Sequence, residues 1–153
     1  IGFVGNLHST SSIQDRYLGY YKSLLEHGED LNADWIINDR DKRGKYIEFK
    51  LPKEMPSAFV CNCDQVAHAF VNRLKQEGYR VPEDVSVVGF DNDIYATITE
   101  PNLTTVEVDI DEMVTEAVKV IIKKVQGNKK CYGRQSVKGK MVKRDSVSDK
   151  RQG

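Results

Sequence analysis

Four clusters of polar side chains could form a binding or catalytic site, and each follows a short apolar run. They are Asn6-Leu7-His8-Ser9, Asn38-Asp39-Arg40-Asp41, Asn62-Cys63-Asp64 and Asp91-Asn92-Asp93. Carboxylates accept hydrogen bonds, asparagine both donates and accepts them, and arginine donates them in a planar fork. This inventory suits a small polar or polyhydroxylated ligand that is held without being transformed. Asn, Asp and Ser are also the commonest turn residues, so the clusters could equally be ordinary turns.

Metal or catalytic chemistry has weaker support in the sequence. Cys61, Cys63 and His68 could ligate a metal, but no fourth ligand stands at a recognisable spacing. Asp91 and Asp93 could act as paired carboxylates, yet no nucleophile, base or positioned histidine completes a mechanism. The glycines near the N-terminus lack the spacing of a dinucleotide-binding loop. We therefore expect no enzyme activity, no cofactor and no metal.

The strands that must position these clusters are short and apolar. We predict them at residues 1–4, 35–37, 57–61 and 85–90, with a weaker edge strand at 46–49 and a last strand within 137–142. The run at 85–90 is almost wholly apolar, which is typical of a strand buried on both faces near the centre of a parallel sheet. Loops that follow parallel strands emerge at one edge, so we expect the four polar clusters to converge there.

Helices alternate with these strands. Apolar residues at helical spacing predict one helix from about Ile13 to Gly28, one from Asp64 as N-cap to Gly78, and one over residues 109–126 that stops at Gly127. Alternation of strand and helix indicates an α/β protein, with a parallel sheet flanked by helices.

The composition is typical of one globular domain without a membrane segment. Hydrophobic residues make up 39% and charged residues 30% of the 153 residues, and 23 basic side chains balance 23 acidic ones. No apolar run approaches the roughly 18 residues that a membrane helix needs. Two of the three cysteines are one residue apart, which does not indicate a disulfide framework. We therefore expect a cytoplasmic protein with no membrane contact.

The two ends of the sequence carry further hints. It opens inside a predicted strand, at Ile1-Gly2-Phe3-Val4-Gly5, so we interpret it as part of a longer protein. The stretch from Lys129 onward has nine Lys or Arg against two Asp. A basic tail can bind nucleic acid, although most such tails are solvated surface.

Five segments resemble, in order, motifs of the lactose-repressor/galactose-repressor family. Ser12, Arg16 and Gly19 are similar to the family's S-x-x-x-R-x-x-G, and PNLTTV at 101–106 is similar to its P-x-L-T-T-V. PSAFVCNCDQVA at 56–67 resembles its P-T-A…N-D-x-x-A segment, GYRVPEDVSVVGFDN at 78–92 its G-x-x-V-P-x-D-v-s-V-v-G-F-D signature, and MVKRDS at 141–146 its L-V-x-R-x-S. Any one match is weak, but five in order are specific.

The resemblance implies a periplasmic-binding-protein-like fold of two lobes behind a helix-turn-helix domain. Residues 1–106 would be the C-terminal effector-binding lobe, 107–127 a helix that crosses to the missing N-terminal lobe, and 128–153 a return strand and basic tail. The implied function is a ligand sensor that binds a small polar effector, such as a sugar or related metabolite, and controls operator binding. DNA would be contacted by the helix-turn-helix domain, which is absent from this chain. The alternative is a periplasmic-type solute-binding protein for a sugar transporter.

The resemblance also assigns roles to individual residues. Arg16 and Asp91 match the family's ligand-contacting arginine and aspartate, and Ser12 matches a contact position used in some members. Together with the polar clusters, the predicted ligand site comprises Asn6, Ser12, Arg16, Asp39, Cys63 and Asp91.

The sequence departs from the family pattern at three places. Cys63 stands where the family usually has asparagine, and Ile110 where some sugar-binding members place a stacking aromatic ring. Residues 38–55 are too few for the helix that usually precedes the third strand. These departures leave the ligand class open.

Family members dimerise largely through this lobe, so the resemblance also implies a homodimer. We expect its interface to draw on helix residues such as Tyr17, Tyr20, Tyr21, Phe70 and Leu74, although these could all be internal core instead. The helix over 109–126 carries an apolar stripe of Met113, Ala117, Val120 and Ile121. Since the first lobe is missing, we expect this helix to fold back on its own lobe or to pack against another copy.

Overall fold

Four parallel strands form the main sheet of the computed structural model, which describes residues 1–127 and 133–149. The strands are β1 (Gly2–Val4), β2 (Ile36–Ile37), β3 (Ala58–Cys61) and β4 (Ser86–Val88), and their order across the sheet is β2-β1-β3-β4. The predicted α/β class is confirmed, because every strand pair in this sheet is parallel. The carboxyl ends of all four strands therefore meet at one edge.

The helices begin and end close to the predicted positions. They are α1 (Ser11–Glu26), α2 (Asp64–Gln76), α3 (Ile94–Ile98), which the sequence did not predict, and α4 (Ile110–Val125). The three long helices each end two residues before a glycine in the left-handed region: Gly28 (φ 71°), Gly78 (φ 86°) and Gly127 (φ 81°). The N-cap of α2 is Cys63 and not Asp64, so that detail of the prediction is wrong.

A two-stranded antiparallel ribbon connects this lobe to α4. It consists of β5 (Thr105–Glu107), which leads into α4, and β6 (Lys140–Val142), which lies within the predicted last strand. The segment 104–107 also runs parallel to the end of β4, through single bridges from Val88 to Thr104 and from Asp91 to Glu107. The expectation that residues 85–90 lie near the centre is wrong for the four-stranded sheet, because β1 and β3 take the centre and β4 is its last strand.

The chain after β6 returns to the outer edge of β4. Ser146 is fully buried there, and its backbone oxygen accepts a hydrogen bond from the amide of Val87 at 2.9 Å. Its hydroxyl donates to the oxygen of Val87 at 2.6 Å and accepts from the amide of Thr104 at 2.8 Å. Residue 146 thus takes the place of a neighbouring strand. Residues 128–132 and 150–153 of the predicted tail lie outside the described residues.

The core lies on both faces of the sheet. On one face, the ring of Phe70 in α2 packs edge-on against Phe59 of β3, with the ring centroids 4.8 Å apart. On the other face, Phe3 of β1 packs against Tyr20 and Leu24 of α1. Aliphatic and aromatic side chains thus fix both helices on the sheet, and burial of each large side chain contributes about 1.5–3 kcal/mol.

The predicted dimer-interface residues belong to this core. Phe70 and Leu74 have no exposed surface, and Tyr20 is buried. Tyr17 and Tyr21 are half-buried against the cluster around Phe3. The prediction of an interface is therefore wrong for Tyr20, Phe70 and Leu74, whereas Tyr17 and Tyr21 keep part of their surface exposed. Helical spacing of apolar residues identifies a buried face but does not say whether the chain itself or a partner buries it.

Helix α4 does not fold back on its own lobe. None of its residues is buried, and Val125 at its end is 81% exposed. Met113 and Ile121 of the predicted stripe are exposed as well. The expected fold-back is wrong, while packing against another copy stays a prediction. No helix in the described part of the chain is long and apolar enough to cross a membrane.

Residues 40–46 form a small hairpin instead of leading into an edge strand. Arg40 and Tyr46 form a single antiparallel bridge, and the carboxylate of Asp41 accepts from the amides of Arg43 and Lys45 at 2.8 and 3.0 Å. The side chain of Asp41 thus organises a tight turn. Residues 46–49 consequently remain outside the sheet, and the predicted edge strand is not formed.

Candidate ligand-binding site

The four polar clusters lie at the same edge of the sheet, as the parallel topology requires. The amide of Asn6 after β1 donates to the carboxylate of Asp39 after β2 at 2.7 Å. The amide of Asn62 after β3 donates to the backbone oxygen of Val4 at 2.8 Å. The structure therefore brings the loops together. The polar side chains of these loops differ in how much of their surface is exposed.

Arg16 of α1 lies at this edge, against the loops after β3 and β4. Its guanidinium lies over the ring of Phe90, 3.8 Å from the centroid, and its Nη1 donates to the backbone oxygen of Asn62. Its Nη2 lies 3.4 Å from Oδ1 of Asp91, so the ion pair is loose. Ser12, one helical turn earlier on α1, is exposed on the same side of the helix. Donors from α1 thus face the loops after β3 and β4.

Asp91 is held in a backbone conformation that side chains rarely adopt. Its φ is 110° and that of Asn92 is 56°, both in the left-handed region. The amide of Asp91 donates to the oxygen of Val106 at 2.9 Å, which fixes the turn against β5. Burial raises the pKa of the Asp91 carboxyl, whereas the nearby Arg16 opposes that rise. Strained residues of this kind concentrate at functional sites.

Asp39 is a positioning residue in this structure and not an exposed contact. Its side chain has no exposed surface, and it accepts hydrogen bonds from the Asn6 amide, from Nε of Arg40 at 3.2 Å and from Nδ2 of Asn62 at 3.3 Å. It thereby ties together the loops after β1, β2 and β3. The predicted contact between Asp39 and a ligand has no surface on which to form.

Cys63 lies half-buried at the start of α2, among the charged residues of the edge. Burial raises the pKa of its thiol, as do Asp91 and Asp39. The raised pKa keeps the thiol protonated at neutral pH, so Cys63 offers this edge only a weak hydrogen-bonding group. Cys61 is fully buried behind it.

The possible metal ligands do not come together. Both ring nitrogens of His68 have other partners: its Nδ1 lies 2.9 Å from Oγ1 of Thr99 and its Nε2 lies 3.1 Å from Nδ2 of Asn72. Within residues 1–127 and 133–149, no group of three His, Cys, Asp or Glu side chains could hold a metal ion.

Sequence analysis placed Asp64 in a polar cluster and at a helix N-cap, but it missed that this residue supports the turn at Asp91. The buried carboxylate of Asp64 accepts from Oγ1 of Thr105 at 2.6 Å and from the amide of Asp93 at 3.1 Å. Burial raises the pKa of this carboxyl, against the effect of the two hydrogen bonds. Gly89 is required beside it, because a Cβ there would lie 2.0 Å from Oδ1 of Asp64. The two hydrogen bonds of Asp64 and its close approach to Gly89 fix the turn that carries Asp91.

An open concavity of about 340 Å³ adjoins Arg16 and Phe90. Ser12 and Arg16 of the predicted site line it, together with Asp15, Phe90, Val108, Met113 and residues in 134–139. Phe90 was also missed, although it stands directly before Asp91 at the end of an apolar strand. The edge can therefore offer a planar cationic donor, a carboxylate acceptor and an aromatic surface to a small polar molecule.

Residues 1–147 match the family described as periplasmic binding protein-like domain. The NTD biosynthesis operon regulator NtdR of Bacillus subtilis is 31% identical over 132 residues, which cover 84% of this chain and 40% of that protein. The HTH-type transcriptional regulator AscG of Escherichia coli is 32% identical over 147 residues, 94% of this chain and 43% of that protein. The chain thus spans less than half the length of these curated relatives.

Solved structures agree with the sequence relatives. A sugar-binding transcriptional regulator of the LacI family from Escherichia coli, solved in complex with phosphate, superposes with a TM-score of 0.74 at 28% identity. The match covers 95% of this chain and 54% of that one. The likeness therefore extends over nearly all of this sequence.

Proposed function

Because the chain belongs to the periplasmic binding protein-like domain family and its relatives are LacI-type transcription regulators, we propose that it is the effector-sensing lobe of such a regulator. It binds a small polar effector, a sugar or related metabolite, and this binding controls the affinity of the whole regulator for its operator. Residues 1–106 form the effector-binding lobe, and 107–127 cross to an N-terminal lobe outside this chain. DNA contact belongs to a helix-turn-helix domain that this chain does not contain, and the regulator acts in the cytoplasm.

The observation that carries this proposal is the arrangement of Arg16, Phe90 and Asp91. A separation of 3.4 Å between Nη2 and Oδ1 leaves both groups with hydrogen-bonding capacity to spare. A pair of neighbouring hydroxyl groups can accept from the guanidinium and donate to the carboxylate. The relatives are regulators and repressors, which favours this role over that of a transporter's solute-binding protein. We assign the site no catalytic step, since its relatives are transcription regulators and the Cys63 thiol, whose pKa burial raises, is a poor nucleophile.

A sugar titration of the chain tests the proposal. We expect one or more members of a panel of monosaccharides, disaccharides and sugar phosphates to shift the NMR signals of the Arg16, Phe90 and Asp91 amides. Arg16→Ala should weaken that binding at least about tenfold, since hydrogen bonds to charged groups contribute about 1.5–3 kcal/mol. Arg80→Ala is the matched control, because Arg80 is exposed and pairs with Asp84 in the turn before β4. Shifts that persist unchanged in Arg16→Ala would refute this site.

The proposed regulator is a homodimer, and exposed residues must replace the buried ones in its predicted interface. Ile94 and Ile98 of α3 are 68% and 54% exposed, and Tyr46 and Ile47 are exposed on the other flank of α2. Tyr46 contacts Gln65 of α2 through a 3.1 Å hydrogen bond. Regulators that read two-fold operators need a symmetric partner. We therefore assign the exposed apolar face formed by Ile94, Ile98, Tyr46 and Ile47 to a second copy.

Disruption of this face is expected to shift the chain toward monomer. In a symmetric interface the double variant Ile94→Asp with Ile98→Asp buries four carboxylates, two from each copy, so it should raise the dimer dissociation constant about a hundredfold or more. Sedimentation equilibrium measures this shift. Leu18→Asp with Leu25→Asp on α1, where both side chains are also exposed, serves as control. Equal effects of the two double variants would place the interface elsewhere.

A further inference from the structure

The side chain of Asn92 joins β5 to the chain just after β6. Its Nδ2 donates to Oε1 of Glu107, the last residue of β5, at 3.2 Å. Its Oδ1 accepts from Nη2 of Arg144, two residues after β6, at 2.7 Å. Both bonds involve a charged partner and are partly buried, and such bonds are about twice as strong as neutral ones.

Arg144 extends this junction to the segment before β5. Its Nη1 donates to the backbone oxygen of Leu103 at 2.8 Å, and its amide donates to Oγ1 of Thr104 at 2.9 Å. The hydroxyl of Thr104 donates in turn to the backbone oxygen of Arg144 at 3.1 Å. Asn92, Glu107 and Arg144 therefore form one hydrogen-bonded cluster, which we call the ribbon latch.

The ribbon latch is joined covalently to Asp91, a residue of the candidate ligand site. Asn92 follows Asp91 directly, and both have a positive φ. A glycine would satisfy that backbone at less cost, so an asparagine here brings a side chain that the turn itself does not require. Movement of Asp91 reaches β5 directly, through the bond from its amide to the oxygen of Val106, whereas it reaches Arg144 through the side chain of Asn92.

We propose that Asn92 is a positioning residue that couples the ligand site at Asp91 to the β5–β6 ribbon, and hence to the orientation of α4. The proposal rests on the proposed function in so far as a ligand is what moves Asp91. Helix α4 has no buried residue, and it begins three residues after Glu107, the last residue of β5, so the ribbon is its direct connection to the rest of the fold. A change of hydrogen bonding at Asp91 is thereby converted into a change at the chain segments that leave the lobe.

Hydrogen exchange of the chain, followed by NMR without any ligand, tests the latch. Asn92→Gly keeps the left-handed backbone and removes both side-chain bonds. We expect the amides of β5, β6 and Arg144 to exchange about tenfold faster in this variant. The amides of Gly5 and Asn62, which donate to Ile37 and Val4 within the main sheet, are the internal reference and should change less than about twofold. Unchanged exchange in the ribbon would overturn the proposal.

Coupling is measured by a second substitution in the ligand site. Asp91→Asn should change the exchange rate of the Arg144 amide about threefold or more when Asn92 is present, and should leave it unchanged in the Asn92→Gly background. A purely structural role of Asn92 would give the same response in both backgrounds, and that result would overturn the coupling. Glu107→Gln keeps an acceptor for Nδ2 but removes its charge, so it should speed exchange in the ribbon less than Asn92→Gly does.

These outcomes are separable from the sugar titration. If no sugar shifts the Arg16 and Asp91 amides, the proposed function fails, while the exchange measurements still decide the latch. If a sugar binds and the Arg144 amide responds to Asp91→Asn equally in both backgrounds, only the coupling fails.

Discussion

Gly89→Ala is expected to lower the free energy of unfolding by about 3 kcal/mol, because its methyl group collides with a buried carboxylate. A Cβ at this position lies 2.0 Å from Oδ1 of Asp64, and both residues are buried. The carboxylate cannot move aside without losing its 2.6 Å bond from Thr105 or its 3.1 Å bond from the Asp93 amide. Urea unfolding followed by circular dichroism measures the change.

Removal of the Asp64 carboxylate should restore part of the stability that Gly89→Ala loses. Asp64→Ala alone costs about 2 kcal/mol, since two buried donors lose their acceptor. The double variant should then be no less stable than Asp64→Ala alone, because the space left by the carboxylate takes the methyl group. Gly19→Ala is the control: a Cβ there meets nothing within 4 Å, and alanine stabilises a helix by about 1 kcal/mol relative to glycine. Additive losses in the double variant would show that the clash lies elsewhere.

Two replacements of Asp91 are expected to lower the affinity for the ligand equally but to differ in their free energy of unfolding. Both Asp91→Ala and Asp91→Gly remove the acceptor and should weaken binding of the sugar found in the titration by about 1–3 kcal/mol. The φ of 110° is strained for alanine and ordinary for glycine. Asp91→Gly should therefore be about 1 kcal/mol more stable than Asp91→Ala.

Calorimetry gives the two affinities, and urea unfolding gives the two stabilities. Equal stability of the two variants would mean that the turn relaxes when the carboxylate is lost. Unchanged affinity in both would exclude Asp91 as a ligand contact. The pair is matched, because the two side chains differ by one methyl group and share the loss of charge.

The strands and long helices could be predicted from the sequence because each has a strong local signal. The apolar run before Asn62 and the glycine at position 78 mark the ends of their elements, and the structure confirms both. The five-residue helix α3 was missed because so short a helix carries less than two turns of periodicity. No strand forms at residues 46–49, because their alternation of apolar side chains is weak and the turn that Asp41 organises lies directly before them.

Less of the candidate site could be predicted, because the residues next to a polar side chain in the sequence do not determine whether the fold buries it. Asp39 and Asp91 both follow a strand and are chemically identical, yet Asp39 is enclosed by three donors while Asp91 stays partly exposed. Arg16 was singled out only through the family resemblance, since nothing near it in sequence indicates that α1 places it over Phe90. The role of Asp64 depends on Thr105, which lies 41 residues away in the chain. Contacts at such distances follow from topology and not from pattern.

The burial of Ser146 against β4 also constrains how the protein is made. Ser146 lies 59 residues after Val87, whose backbone it completes. At a translation rate of about 5–20 residues per second, the ribosome needs about 3–12 s to add that stretch. For this length of time after β4 leaves the ribosome, the segment that will cover its outer edge has not yet emerged. The nascent lobe therefore passes through a state with an open sheet edge, in which it is most exposed to chaperones and to mispairing with neighbouring chains.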